Sequence, residues 1–172
     1  IANGFLDLID SNSNIVLTEA EHHSNIVGWQ LVLNSKSQTL RQAQGDNVMV
    51  SLSNHDSLKF VEIDEDGFID LEDLKRKIDS NTKVFSFAWA SNTYGVINDL
   101  KEIVKIVKSI NPEIIIVVDA AQITGHQTFQ FRELGIDFIT FSAHKMYGKT
   151  RERALLAKTK LIENIKTMKN AG

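Results

Sequence analysis

Between residues 114 and 118 the chain reads Ile-Ile-Ile-Val-Val with no polar interruption. This run constrains the fold more than any other feature. Successive side chains of a strand point to opposite faces. A strand that is apolar at every position must therefore be covered on both sides, as happens in parallel sheets flanked by helices. Further short apolar runs at residues 15–17, 48–52, 59–63, 83–88, 137–141 and 154–157 also read as strands. Amphipathic stretches lie between them. Residues 23–33 read as a helix with Ile26, Val27, Gln30 and Leu31 on one face, whereas the polar, aperiodic residues 35–46 read as a loop. Asp64-Glu65-Asp66-Gly67 is a turn signal. Asp70 can cap a helix over residues 71–78. Asp99 can open one through residue 109, with Leu100, Ile103, Val104 and Val107 on one face. Residues 160–169 read as a last helix. The expected architecture is a three-layer α/β/α sandwich with a mostly parallel sheet.

Composition narrows the chemistry. None of the 172 residues is cysteine, which excludes disulfides, thiolate-bound metal and a cysteine nucleophile supplied by these residues. The net charge of −3 leaves no basic excess to hold a phosphate backbone, so no nucleic-acid partner is expected. The five-residue aliphatic run is far short of the roughly 20 residues a membrane-spanning helix needs, so no membrane partner is expected either. No basic stretch followed by an apolar one opens the chain, and the first residue is Ile1 rather than Met. A cytoplasmic piece of a longer or processed protein is the expectation.

Open α/β sheets bind ligands just past the carboxyl ends of their strands. The residues following the predicted strands are therefore informative. After residues 15–17 come Glu21, His22 and His23, and after residues 83–88 comes Asn92. After residues 114–118 come Asp119 and Gln122, and after residues 137–141 come Ser142, His144 and Lys145. Singly, each has a plainer use, as a surface lysine, a helix cap or a solvated polar residue. Together they suit one chemistry. A partly desolvated lysine can condense with an aldehyde, and an aspartate can pair with a protonated pyridine nitrogen. An imidazole can stack on an aromatic ring, and Ser with His can bind a phosphate. That set describes a pocket for pyridoxal 5'-phosphate, in which the cofactor is the electron sink and the protein sets its electronics. No metal-ligand spacing accompanies it.

Four segments occur in order: Glu21-His22-His23-Ser24-Asn25-Ile26-Val27-x-Trp29, Ser91-Asn92, Val118-Asp119-Ala120-Ala121-Gln122, and Phe141-Ser142-Ala143-His144-Lys145-Met146-Tyr147-Gly148. They resemble the class V aminotransferase group of fold-type I pyridoxal phosphate enzymes, and within it the cysteine desulfurases and selenocysteine lyases. The resemblance implies that Lys145 binds the cofactor covalently and shuttles the substrate α-proton. It implies that Asp119 bonds the pyridine nitrogen, Gln122 the phenolic oxygen, and Ser142 and His144 the phosphate. His22 would stack on the ring and help proton transfer, and Asn92 would hold the substrate carboxylate. The implied activity converts cysteine to alanine with transfer of the sulfur, which serves iron–sulfur cluster assembly. The implied partners are a cysteine-like amino acid, a second subunit in a homodimer, and a sulfur-acceptor protein.

The chain departs from that family at several points. The sulfur-accepting cysteine is absent. Residues 1–172 would be an incomplete cofactor-binding large domain, without the phosphate-cradling turn upstream or the small C-terminal domain. Where the family reads Pro-Thr-Gly-Ile-Gly, this chain reads Lys149-Thr150-Arg151-Glu152-Arg153. If those two glycine positions need a positive φ, arginine there is strained. The polar stretch over residues 35–56 also looks longer than usual. The alternatives are a class V enzyme that needs no thiol, such as an aminotransferase, epimerase or lyase, and a non-catalytic remnant.

Overall fold

The computed structural model describes residues 4, 5, 8–10, 12–44, 57–149 and 152–164. Its strands are β1 (Asn14–Thr18), β2 (Leu58–Val61), β3 (Thr82–Ala88), β4 (Ile115–Asp119), β5 (Phe138–Ser142) and β6 (Arg153–Ala157). Its helices are α1 (His23–Gln44), α2 (Leu71–Lys77), α3 (Leu100–Ile110) and α4 (Thr159–Asn164). The strands form one sheet in the order β2-β1-β3-β4-β5-β6. Every neighbouring pair is parallel except β5 with β6. The strand expected over residues 48–52 and the end of the last predicted helix lie outside the described residues.

The alternation of strand side chains divides the core in two. Ile15, Leu17, Val84, Val117 and Phe138 pack on one face with Trp29, Val32 and Leu33 of α1, and Leu161 of α4 joins them. Val16, Phe85, Phe87, Ile116 and Val118 pack on the other with Leu74 of α2 and Leu100, Ile103 and Val107 of α3. Neighbouring residues on β1, β3 and β4 thus enter opposite cores, and the molecule has the expected three layers. Each fully buried side chain of this size contributes roughly 1.5–3 kcal/mol. The caps sit where the sequence placed them. The Asp70 carboxylate accepts from the amides of Glu72 and Asp73, and the Asp99 carboxylate accepts from that of Glu102.

Two features of α1 correct the sequence reading. The segment read as a loop is helical as far as Gln44. It has no apolar stripe, but residues 29–44 contain neither Gly nor Pro and are rich in Lys, Gln, Leu, Arg and Ala, which favour helix without tertiary help. The inward face is also different. Trp29, Val32 and Leu33 are buried, whereas Leu31 is 55% exposed. The inward stripe begins at the half-buried Asn25, one turn before Trp29, and a polar residue on that stripe hid the true register of the face.

From β1 the chain moves to β2 on one side, and from β3 it moves to β4 on the other. A crevice opens at the carboxyl ends where those directions diverge.

Candidate active site

That crevice is a cleft of about 620 Å³, within the range of small-molecule sites. His22 and Asn92 line it from the ends of β1 and β3. Asp119 and Gln122 line it from the end of β4, and Ser142, His144 and Lys145 from the end of β5. The structure brings to one rim all seven residues to which the resemblance gives a role, whereas His23 does not line the cleft.

Each is held by local structure. His22 immediately precedes α1, and its Nδ1 accepts the Ser24 amide at 3.2 Å and lies 2.8 Å from the Ser24 hydroxyl. An Nδ1 that accepts an amide leaves the proton of the neutral ring on Nε2. The Asp119 Oδ1 accepts the Ala121 amide at 2.9 Å, and Oδ2 has no hydrogen bond among the described residues. Gln122 donates from Nε2 to the Asn92 Oδ1, which couples the turn after β4 to the loop after β3. Lys145 lies in a 3₁₀ turn, Ala143–Met146, closed by Tyr147 at φ 62°. Gly125 lies against this turn, and a Cβ there would sit 2.8 Å from the Lys145 carbonyl oxygen. The Ser142 hydroxyl, the His144 ring and the half-buried Lys145 amine have no partner among the described residues.

Sequence reasoning missed a buried polar network beneath the rim. Glu21 accepts from the Thr18 hydroxyl at 2.5 Å and the Ala88 amide at 2.9 Å through Oε1, and from the Asn25 Nδ2 at 2.7 Å through Oε2. Asn25 also meets the Ser86 hydroxyl at 3.0 Å and accepts the Trp29 indole N–H at 2.9 Å. An indole N–H can only donate, so this bond fixes the Asn25 amide with its NH₂ toward Glu21. Burial pushes the Glu21 carboxyl up to about 7, although Thr18, Asn25 and Ala88 donate to it; the charge of Asp119 adds to the rise. One signal was available, because Ser86 interrupts the otherwise apolar run over residues 84–88. Arg153, on β6, also lines the cleft. It lies in extended strand, so it carries no strain from a positive φ. Arg151 lies outside the described residues.

The family model for class V aminotransferases matches residues 1–172. The chain belongs to that family. A probable cysteine desulfurase of Halalkalibacterium halodurans is 32% identical over 95% of this chain and 36% of its own length. A cysteine desulfurase of Pectobacterium carotovorum is 30% identical over 100% of this chain and 38% of its own. The apo structure of a cysteine desulfurase from Thermococcus onnurineus superposes with a TM-score of 0.75 at 30% identity, covering 95% of this chain and 36% of that one. The class V chain thus spans about a third of the length of these relatives.

Proposed function

We propose that this chain is the cofactor-binding part of a pyridoxal phosphate-dependent cysteine desulfurase-like enzyme. The observation that carries the reading is the cleft itself. It gathers a primary amine, a carboxylate oxygen, a hydroxyl and an imidazole, none with a partner among the described residues, on the ends of successive parallel strands. This donor set fits pyridoxal phosphate. Lys145 would hold the aldehyde carbon, Asp119 the ring nitrogen, and Ser142 and His144 the phosphate. The bound cofactor supplies an electron sink for the electrons of the substrate Cα–H bond.

The protein's own part is positioning and proton transfer. The Asp119 Oδ2 is free to accept a ring N–H. Its Oδ1 stays fixed by the Ala121 amide, so the carboxylate is oriented before any ligand arrives. Lys145 has no carboxylate within ion-pair distance among the described residues. The amine is therefore free to act as nucleophile and then as proton carrier at the substrate α-carbon. His22 presents a ring anchored through Nδ1, which accepts the Ser24 amide. Gln122 and Asn92, already bonded to each other, offer adjoining groups to neighbouring polar atoms of cofactor and substrate.

The reading implies a cysteine-like substrate, a homodimer, a sulfur-acceptor protein serving iron–sulfur assembly, and a cytoplasmic setting. The sulfur-receiving thiol must come from outside this sequence, which has no cysteine. That absence also supports a second reading, a class V reaction needing no thiol.

Mixing the chain with pyridoxal phosphate tests the proposal. A new absorbance band, and after borohydride reduction a cofactor mass on Lys145, is the expected result. Both should vanish in Lys145→Ala. A wild-type chain that shows neither would overturn the reading.

A further inference from the structure

We propose that Arg153 is a further oxyanion-binding residue of the cleft and grips the phosphate of the bound ligand. This deepens the reading above and rests on it. Arg153 and Ser142 are directly paired across the antiparallel β5–β6 ladder. Side chains of directly opposed residues share a face, with Cβ atoms roughly 4.5–5.5 Å apart. The face is known from the other end of the ladder, where Phe138 pairs with Ala157 and both pack in the α1-side core. Residues 142 and 153 stand four positions along, an even number, and so project to the same side. Both line the cleft.

The charges around the cleft favour an anion at this end. Its described charged residues are Asp119, Lys145 and Arg153. In the proposed complex Asp119 faces a ring nitrogen and Lys145 is occupied by the aldehyde. Arg153 is then left with no counter-charge, because it has no ion pair or hydrogen bond among the described residues. A guanidinium presents five N–H donors in a planar fork that suits phosphate oxygens, and it stays charged at any pH the protein survives. The adjoining Ser142 hydroxyl and the His144 ring, both unpaired, would complete an oxyanion cradle. The family has glycine at this position. Arginine in extended conformation fits there without strain and adds a cation to the pocket.

The test uses the whole chain and its Arg153→Gln variant, with three probes. Titrations with pyridoxal phosphate and with pyridoxal are followed by absorbance. Inorganic phosphate is followed by line broadening of its phosphorus resonance. The variant should bind pyridoxal phosphate about ten- to a hundredfold more weakly. Its affinity for pyridoxal should hold, which also shows that the variant is folded, and it should broaden the phosphate line less than wild type. Equal losses for pyridoxal and its phosphate, or no loss for either, would overturn the proposal. A wild-type chain that binds neither aldehyde defeats the cofactor reading instead. The phosphate resonance then decides: broadening that depends on Arg153 keeps the oxyanion site, and broadening that does not removes it.

Discussion

Glu21 is the residue whose chemistry is least visible in the sequence. A carboxylate just after a strand reads as solvated, yet only 9% of this one is exposed. Its neutral form is favoured in the fold, with the carboxyl raised from an ordinary 4.5 to about 7. A carboxyl raised in the folded state contributes stability that is whole below about 4.5 and is lost as pH rises through about 7. Glu21→Gln removes the titration. The stability of wild type relative to this variant should fall by roughly 2–3 kcal/mol between about pH 5 and pH 8, as measured by urea unfolding across that range. A constant difference would mean that Glu21 stays ionised throughout. The new amide also puts an NH₂ against the Asn25 NH₂, so part of the variant's cost is independent of pH. The rim residues, by contrast, were legible because they fall together within a few residues of the carboxyl ends of apolar runs. Asp119 is the last residue of β4 and Ser142 the last of β5.

Among the elements, those with caps were read closely and the one without an apolar stripe was not. Asp99, Leu100, Ile103, Val104 and Val107 put cap and buried face in register, and α3 buries all four apolar residues. Asp99→Ala removes the acceptor of the Glu102 amide. It should cost about 1 kcal/mol, lowering the melting midpoint by roughly 2–4 °C, with Asp99→Asn close to wild type in the same calorimetric scan. The length of α1 escaped prediction because its second half has no apolar period in the sequence, and only residue-by-residue helix preference signals it. Its inward face escaped because the stripe starts with Asn25, a half-buried polar residue held by Glu21 after β1 and Ser86 of β3, partners that no local pattern can announce. β6 illustrates the opposite case. The other five described strands are mutually parallel, but the apolar run of β6 says nothing of direction, and the short connection through the Lys145 turn is what forces it to return antiparallel to β5.

At the scale of the molecule, the two ends of the sheet are built differently. At the amino ends the polar groups are saturated. Asp137 accepts the Ile116 amide at 2.9 Å and Lys158 at 2.6 Å, and Asp79 receives Lys59 at 2.6 Å and Asn14 at 3.0 Å. The Asn111 amide bonds the carbonyls of Asp79 and Thr82. At the carboxyl ends, Ser142, His144 and Lys145 lack partners among the described residues. Stability resides at one end and unused bonding capacity at the other. Asp137→Ala should therefore destabilise the fold by about 2–4 kcal/mol in urea, because it strips a buried acceptor from two lysines and an amide. Its affinity for pyridoxal phosphate, measured well below the unfolding midpoint, should stay within about twofold of wild type. A parallel loss of binding would show that the two ends are coupled.

The indole that orients Asn25 also gives the molecule an optical property. Only two tryptophans are present. Trp29 lines the cleft, and Trp89 is buried in the core on the opposite face of the sheet, against Phe129. A chromophore entering the cleft would take excitation energy from Trp29 at contact range and from Trp89 only across the sheet. The protein thus carries an emitter at the binding site itself, so quenching of its tryptophan emission follows occupancy without any added label.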